Sequence, residues 1–196
     1  PGTPEHRTIA VGFVQFAGTD ALLAEEGPEA TAAALDDCMR NVSRAAAAHG
    51  VTFFETDINA DGGKIMLTAG APRTAGHDAD RLLRTARQIL DHAGRLPLRI
   101  GVNTGHGFSG DFGPPFRRTY SVKGDAINLA ARIMGKASPG ELLATRPAYE
   151  HSETRFETTD VGPFTLKGKA RPVAAVSVGA ALGGRERRTG HENVLV

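Results

Sequence analysis

The 196 residues are 40% hydrophobic and 23% charged, enough apolar material for one globular core of ordinary composition. A formal net charge of +1 excludes a broad electrostatic footprint for nucleic acid, and no apolar run is long enough to cross a bilayer. Cys38 is the one cysteine, which excludes an internal disulfide and a thiolate metal site and makes a reducing, cytoplasmic setting the expectation, with no membrane partner.

Residues 8–16, TIAVGFVQF, are rich in β-branched and aromatic types and predict a strand with Ile9, Val11, Phe13 and Gln15 on one face. Gly18 marks a turn. Between Glu29 and His49, Leu35, Met39, Val42 and Ala46 recur at threes and fours, which predicts an amphipathic helix closed by Gly50, with Cys38 packed on it as a small hydrophobe. Residues 51–58 and 64–70 read as strands joined by the turn Asn59-Ala60-Asp61-Gly62-Gly63. Residues 78–93 predict a second helix with Leu82, Leu83, Ala86, Ile89 and Leu90 inward. A strand over 96–103 follows, with Leu96, Leu98, Ile100 and Val102 alternating. A Gly-rich strand and turn region covers 105–118, and 141–145, 156–168 and 172–179 read as further short strands. The order βαββαβ with extra C-terminal strands predicts an α+β, ferredoxin-like sandwich with helices on one face of an antiparallel sheet. Residues 1–7 read as an N-terminal linker, 8–179 as the domain, and the Gly- and Arg-containing tail 180–196 as a flexible linker toward a domain outside this sequence.

The stretch from Arg117 to Met134, RRTYSVKGDAINLAARIM, is the most informative. It places Asn128 and Arg132 four residues apart, hence on one helix face. Ile127, Ala130, Ile133 and Met134 form the apolar stripe that would pack the helix down, and Gly124 and Asp125 supply its turn and cap. This stretch resembles the signature of class III nucleotidyl cyclases, close to Y-[TD]-[VI]-x-G-D-x-[VI]-N-L-A-A-R-[LM], and the resemblance covers about residues 7–179. It implies a cyclase homology domain in which Asn128 orients the ribose of a nucleoside triphosphate. Arg132 would stabilise the charge that develops as the 3′-hydroxyl attacks the α-phosphorus, a role suited to a planar, permanently charged fork.

The sequence departs from the family at the metal. The family holds Mg²⁺ or Mn²⁺ between two carboxylates, because hard divalent ions take anionic oxygen ligands. Phe13-Val14-Gln15-Phe16-Ala17-Gly18-Thr19 aligns with the first of these segments and puts Gln15 at the carboxylate position. Counting back from Gly70-Ala71-Pro72 puts Gly63 at the second, with Asp61 two residues early and restored as a ligand only by a slip in the hairpin. The chain therefore carries no metal pair of its own. It resembles the half of heterodimeric cyclases that brings the Asn and Arg while a homologous partner domain brings the metal carboxylates, and also the second of two tandem cyclase domains in large bacterial multidomain proteins.

Carried over position by position, the resemblance puts base contacts at Ser121 and Asn59, with Asp61 beside them, and a phosphate contact at Lys167, with Lys169 as the alternative. No Glu or Cys stands at the base positions to hint at guanine, so ATP is the expected substrate. His106 reads as a turn or cleft-edge histidine, and Arg117 and Arg118 as phosphate or partner contacts or as solvated turn residues. The expectation is an adenylate cyclase half, weak or inactive alone, that pairs with a homologous domain as a hetero- or homodimer. A pseudo-cyclase that binds nucleotide and serves as a regulatory dimerisation module is the alternative. An active homodimer would need Asp61 and Gln15 to hold metal between them.

Overall fold

The computed structural model describes residues 5–114 and 116–184. The chain runs β1 (Glu5–Ala17), α1 (Thr19–Ala48), β2 (Thr52–Asn59), β3 (Gly62–Ala69), α2 (Asp78–Asp91), β4 (Leu98–Phe112), β5 (Thr119–Lys123), α3 (Asp125–Met134), β6 (Leu142–Thr145), α4 (Arg146–Glu150), β7 (Thr154–Phe164) and β8 (Val173–Gly184). An eight-stranded sheet has the order β2-β3-β1-β4-β6-β8-β7, with β5 paired to β4. β1 to β4 with α1 and α2 are the ferredoxin-like unit that the element order predicts, and β6, β7 and β8 extend it.

Alternation along β1 decides what each face meets. Ala10, Val14 and Phe16 point into a core shared with Val42, Ala46, Leu82, Leu83 and Ile89 of α1 and α2. Ile9, Val11 and Phe13 point the other way and pack with Met66, Ala130 and Met134. Helices on one face alone are therefore a correction to make: α1 and α2 cover one side, and α3 lies on the other. An apolar stripe says that a helix packs, not on which side of a sheet.

Other differences have local causes. α1 starts ten residues ahead of Glu29, and Gly27, at φ 86° and ψ 179°, breaks its helical geometry just before Pro28, so the periodic stretch recognised in the sequence is its second segment. β4 absorbs the glycine-rich stretch and runs unbroken to Phe112, where it forms a ribbon with β5. Phe108 and Phe112 meet edge to face at 5.6 Å on that ribbon, and Lys123 Nζ sits 4.4 Å from the Phe112 ring. The short α4 has Pro147 in its first turn and carries no amphipathic period to read. β1 begins at Glu5 and β8 continues to Gly184, both inside segments read as linkers. Residues 1–4 and 185–196, the rest of those linker readings, lie outside the described residues.

Candidate active site

α3 is held to the sheet by fit and by one buried polar network. Ala126, Ala130, Ile133 and Met134 are buried beneath it. A side chain at Gly101 of β4 would place its Cβ 2.5 Å from Met134 Cα, so only glycine lets the helix lie this close to the strand. Asn103 of β4, 2% exposed, donates from Nδ2 to Ala126 O at 2.9 Å and accepts from Thr145 Oγ1 at 2.8 Å. That amide ties the first turn of α3 to β4 and β6, and leaving any member of such a network unpaired costs about 1–3 kcal/mol. Asn103 is not among the residues that the sequence motifs single out. Its own segment carries no signal: in Gly101-Val102-Asn103-Thr104 it reads as a polar residue of a strand.

The outward side of α3 presents Asp125, Asn128 and Arg132, spaced i, i+3 and i+7 along one face. Asn128 is exposed and Arg132 half-buried. The turn between β7 and β8 lies against this face. Leu166 packs with Ile133, Gly168 passes so close that a Cβ there would lie 3.6 Å from Arg132 Nη1, and Lys169 Nζ forms an ion pair with Asp125. Asp125 begins the helix and pairs with Lys169 instead of capping it; Gly124, at the N-cap, has no side chain to do so. A cleft of about 390 Å³ opens at this end of α3, lined by Asn103, Thr104, His106, Asp125, Leu129 and Lys169. His106 is a cleft-edge residue, as read, but on a strand.

The other sequence-derived candidates are not gathered here. Lys167 is exposed and bonds to no side chain among the described residues, whereas its neighbour Lys169 reaches α3. Ser121 of β5 pairs with Gly110, and because Tyr120 and Val122 face the α3 side, Ser121 turns to the other side of the ribbon. Asn59 is exposed at the end of β2. Asp61, at φ 59° in the hairpin turn, accepts from Asp20 N through Oδ1 at 3.1 Å, and its carbonyl accepts from Gly18 N at 3.0 Å. Its carboxylate is engaged with the start of α1.

The residues that the sequence resemblance puts at the family's metal positions do not fit a divalent ion. Gln15 is neutral, and its Oε1 already accepts from Arg99 Nε at 2.8 Å. A cation placed on that oxygen would sit beside a guanidinium; two unit charges 4 Å apart repel by about 4 kcal/mol at an effective dielectric of 20, and a divalent ion doubles this. Gly63 pairs with Phe16 and shares its face, toward α1, where an added Cβ would lie 2.6 Å from Phe16 Cζ and 2.6 Å from Asp57 O. Lys64, a cation, occupies the next position on the Gln15 side. Among the described residues, no group of three or more His, Cys, Asp or Glu is placed to hold a metal ion. This edge lies beside the C-terminal end of α3, where Arg99 reaches Ala137 O at 3.4 Å, whereas the cleft opens at the N-terminal end, at Asp125, and Asn128 and Arg132 follow along the outward face, Arg132 in the last turn.

Sheet order, the α3 face and its flanking turn together define a nucleotidyl cyclase domain. The Adenylate and Guanylate cyclase catalytic domain family matches residues 3–176, and the chain belongs to it. Over 94% of its length the chain is 28% identical to an uncharacterized protein of Mycobacterium tuberculosis, and this match covers 36% of that relative. An adenylate cyclase of Mycobacterium bovis is 31% identical over 120 residues, 57% of this chain and 27% of the relative. The chain thus spans about a third of the length of these curated relatives. Among solved structures, the adenylyl cyclase CyaB from P. aeruginosa superposes with a TM-score of 0.78 at 25% identity, covering 95% of this chain and 98% of that one. The guanylate cyclase domain of RhGC from Catenaria anguillulae, in complex with GTP, gives 0.77 at 20% identity, covering 92% and 100%, a likeness of fold. No helix among the described residues is long and apolar enough to cross a membrane.

Proposed function

We propose that this domain is one half of a nucleotidyl cyclase, acting on ATP in the cytoplasm and completing its site only with a homologous, carboxylate-bearing domain. The observation that carries this reading is the contrast between the outward face of α3 and the sheet edge around Gln15. The helix face presents Asn128 and Arg132 beside Asp125 and Lys169, and the sheet edge, where the family keeps its metal, presents Gln15 with Arg99 on it. Asn128 would hold the ribose, and the Arg132 guanidinium the charge on the phosphate as pyrophosphate departs. Lys169, prepositioned by Asp125, takes the terminal-phosphate role, with Lys167 as the second candidate. Ser121, Asn59 and Asp61 remain candidate base contacts, approached across the interface. Mg²⁺ or Mn²⁺ would be held by the partner's carboxylates and would activate the 3′-hydroxyl there.

The test is cyclic nucleotide production from ATP and from GTP, by this chain alone and mixed with a carboxylate-bearing cyclase half. Activity in the mixture only, greater with ATP, supports the reading. Demonstrated pairing and nucleotide binding without turnover would favour a second reading, a pseudo-cyclase regulatory module, which the cationic surroundings of Gln15 also support.

A further inference from the structure

Gln15 of β1 lies in antiparallel register between Lys64 of β3 and Arg99 of β4. Cross-strand partners share a face, so the three side chains form a row on the α3 side of the sheet, all half-buried. The row has changed sign relative to a metal edge. Arg99 spends Nε on Gln15 Oε1 at 2.8 Å and Nη1 on Ala137 O at 3.4 Å, and Lys64 Nζ makes one ion pair, with Asp57 Oδ2 at 3.1 Å. The one acceptor oxygen of Gln15 thus faces a guanidinium. The row's further nitrogen groups, Gln15 Nε2, Arg99 Nη2 and the other ammonium hydrogens of Lys64, are all donors. Asp57 is the one carboxylate bonded to the row among the described residues, and its side chain is 62% exposed at the far end. A small cleft of about 100 Å³ opens beside Gln15, between Pro97, Leu98 and Pro139.

We propose that this edge binds the phosphate chain of a nucleotide directly, with no metal ion between protein and phosphate. A row of donors carrying a guanidinium and an ammonium complements phosphate oxygens, whereas a divalent ion placed there would meet two cations. Fixed side-chain charge thus stands where bound metal charge would otherwise be needed. The proposal goes beyond the half-cyclase reading, since it concerns binding by this chain without turnover.

Calorimetry of this chain with tripolyphosphate and with ATP in EDTA, then with excess Mg²⁺, tests it. Both probes are expected to bind in EDTA, Mg²⁺ to give no gain, and Arg99→Gln and Lys64→Gln each to weaken binding by about fivefold or more. Arg40→Gln, on the outer side of α1, should leave both affinities unchanged. Lys64 is partly exposed, so Lys64→Gln serves even if Arg99→Gln fails to fold. Absence of binding in EDTA, a tenfold gain with Mg²⁺, or equal loss in the Arg40→Gln control would overturn the proposal. Because binding is read on this chain alone, failure of the complementation assay is a separate result.

Discussion

Thr145 Oγ1 donates to Asn103 Oδ1 at 2.8 Å in a part of the core where neither residue is more than 2% exposed. Together with the Asn103 to Ala126 bond, it locks the start of the helix that carries Asn128 and Arg132. Replacing Asn103 by Leu strands the Thr145 hydroxyl and cuts the tie to α3. Urea unfolding should show a loss of about 2–3 kcal/mol, against about 1 for Thr145→Val. Equal stabilities would show that the network contributes nothing.

Lys169 and Lys167 separate by function. The Lys169 to Asp125 pair is partly exposed, so Lys169→Ala should shift stability by less than about 1 kcal/mol. In a complemented cyclase its rate should fall about tenfold or more, and Lys167→Ala should cost far less. The reverse order would return the phosphate role to Lys167.

Restoring carboxylates should not restore metal chemistry. In Gln15→Asp the introduced carboxylate meets Arg99 and forms an ion pair with it, and in Gly63→Asp the new Cβ runs into Phe16. The double variant is expected to lose roughly 2 kcal/mol or more of stability and to make no cyclic nucleotide alone with Mn²⁺. Mn²⁺-dependent activity of that variant by itself would contradict the geometry.

The sequence showed the fold where periodicity is strong. The β1 alternation and the α2 stripe are as read, and the Asn128/Arg132 pair sits on one helix face because a four-residue spacing leaves no other outcome. Three things were not legible. Asn103 looks like an ordinary polar strand residue until Thr145, forty-two positions on, is brought against it. The choice between Lys167 and Lys169 depends on how the Gly168 turn is aimed, which local pattern does not encode. The resemblance reads Gln15 as standing at a carboxylate position, but its contact with Arg99 is a cross-strand fact set by register, not by either segment alone.

Acid stability should reveal Asp80. Burial alone would raise its pKa, but hydrogen bonds from Ser152 Oγ and Thr154 N, with Arg84 nearby, outweigh that and hold the carboxyl below its ordinary value. The folded state therefore favours the ionised form, and the stability it confers is present above the unfolded carboxylate pKa of about 3.9 and lost as pH falls through the lower folded value. Asp80→Asn should be less stable at pH 7, with a gap to the parent protein that narrows toward pH 3. Thermal midpoints across that range would check it.

Cyclic AMP production by this chain mixed with a carboxylate-bearing cyclase half, with Arg132 intact or replaced by Ala, tests the half-site most directly. Activity is expected only in the mixture, falling by about a hundredfold or more in Arg132→Ala while the two halves still pair. An Arg132→Ala mixture as active as the unmodified one, or full activity from this chain alone, would contradict the assignment.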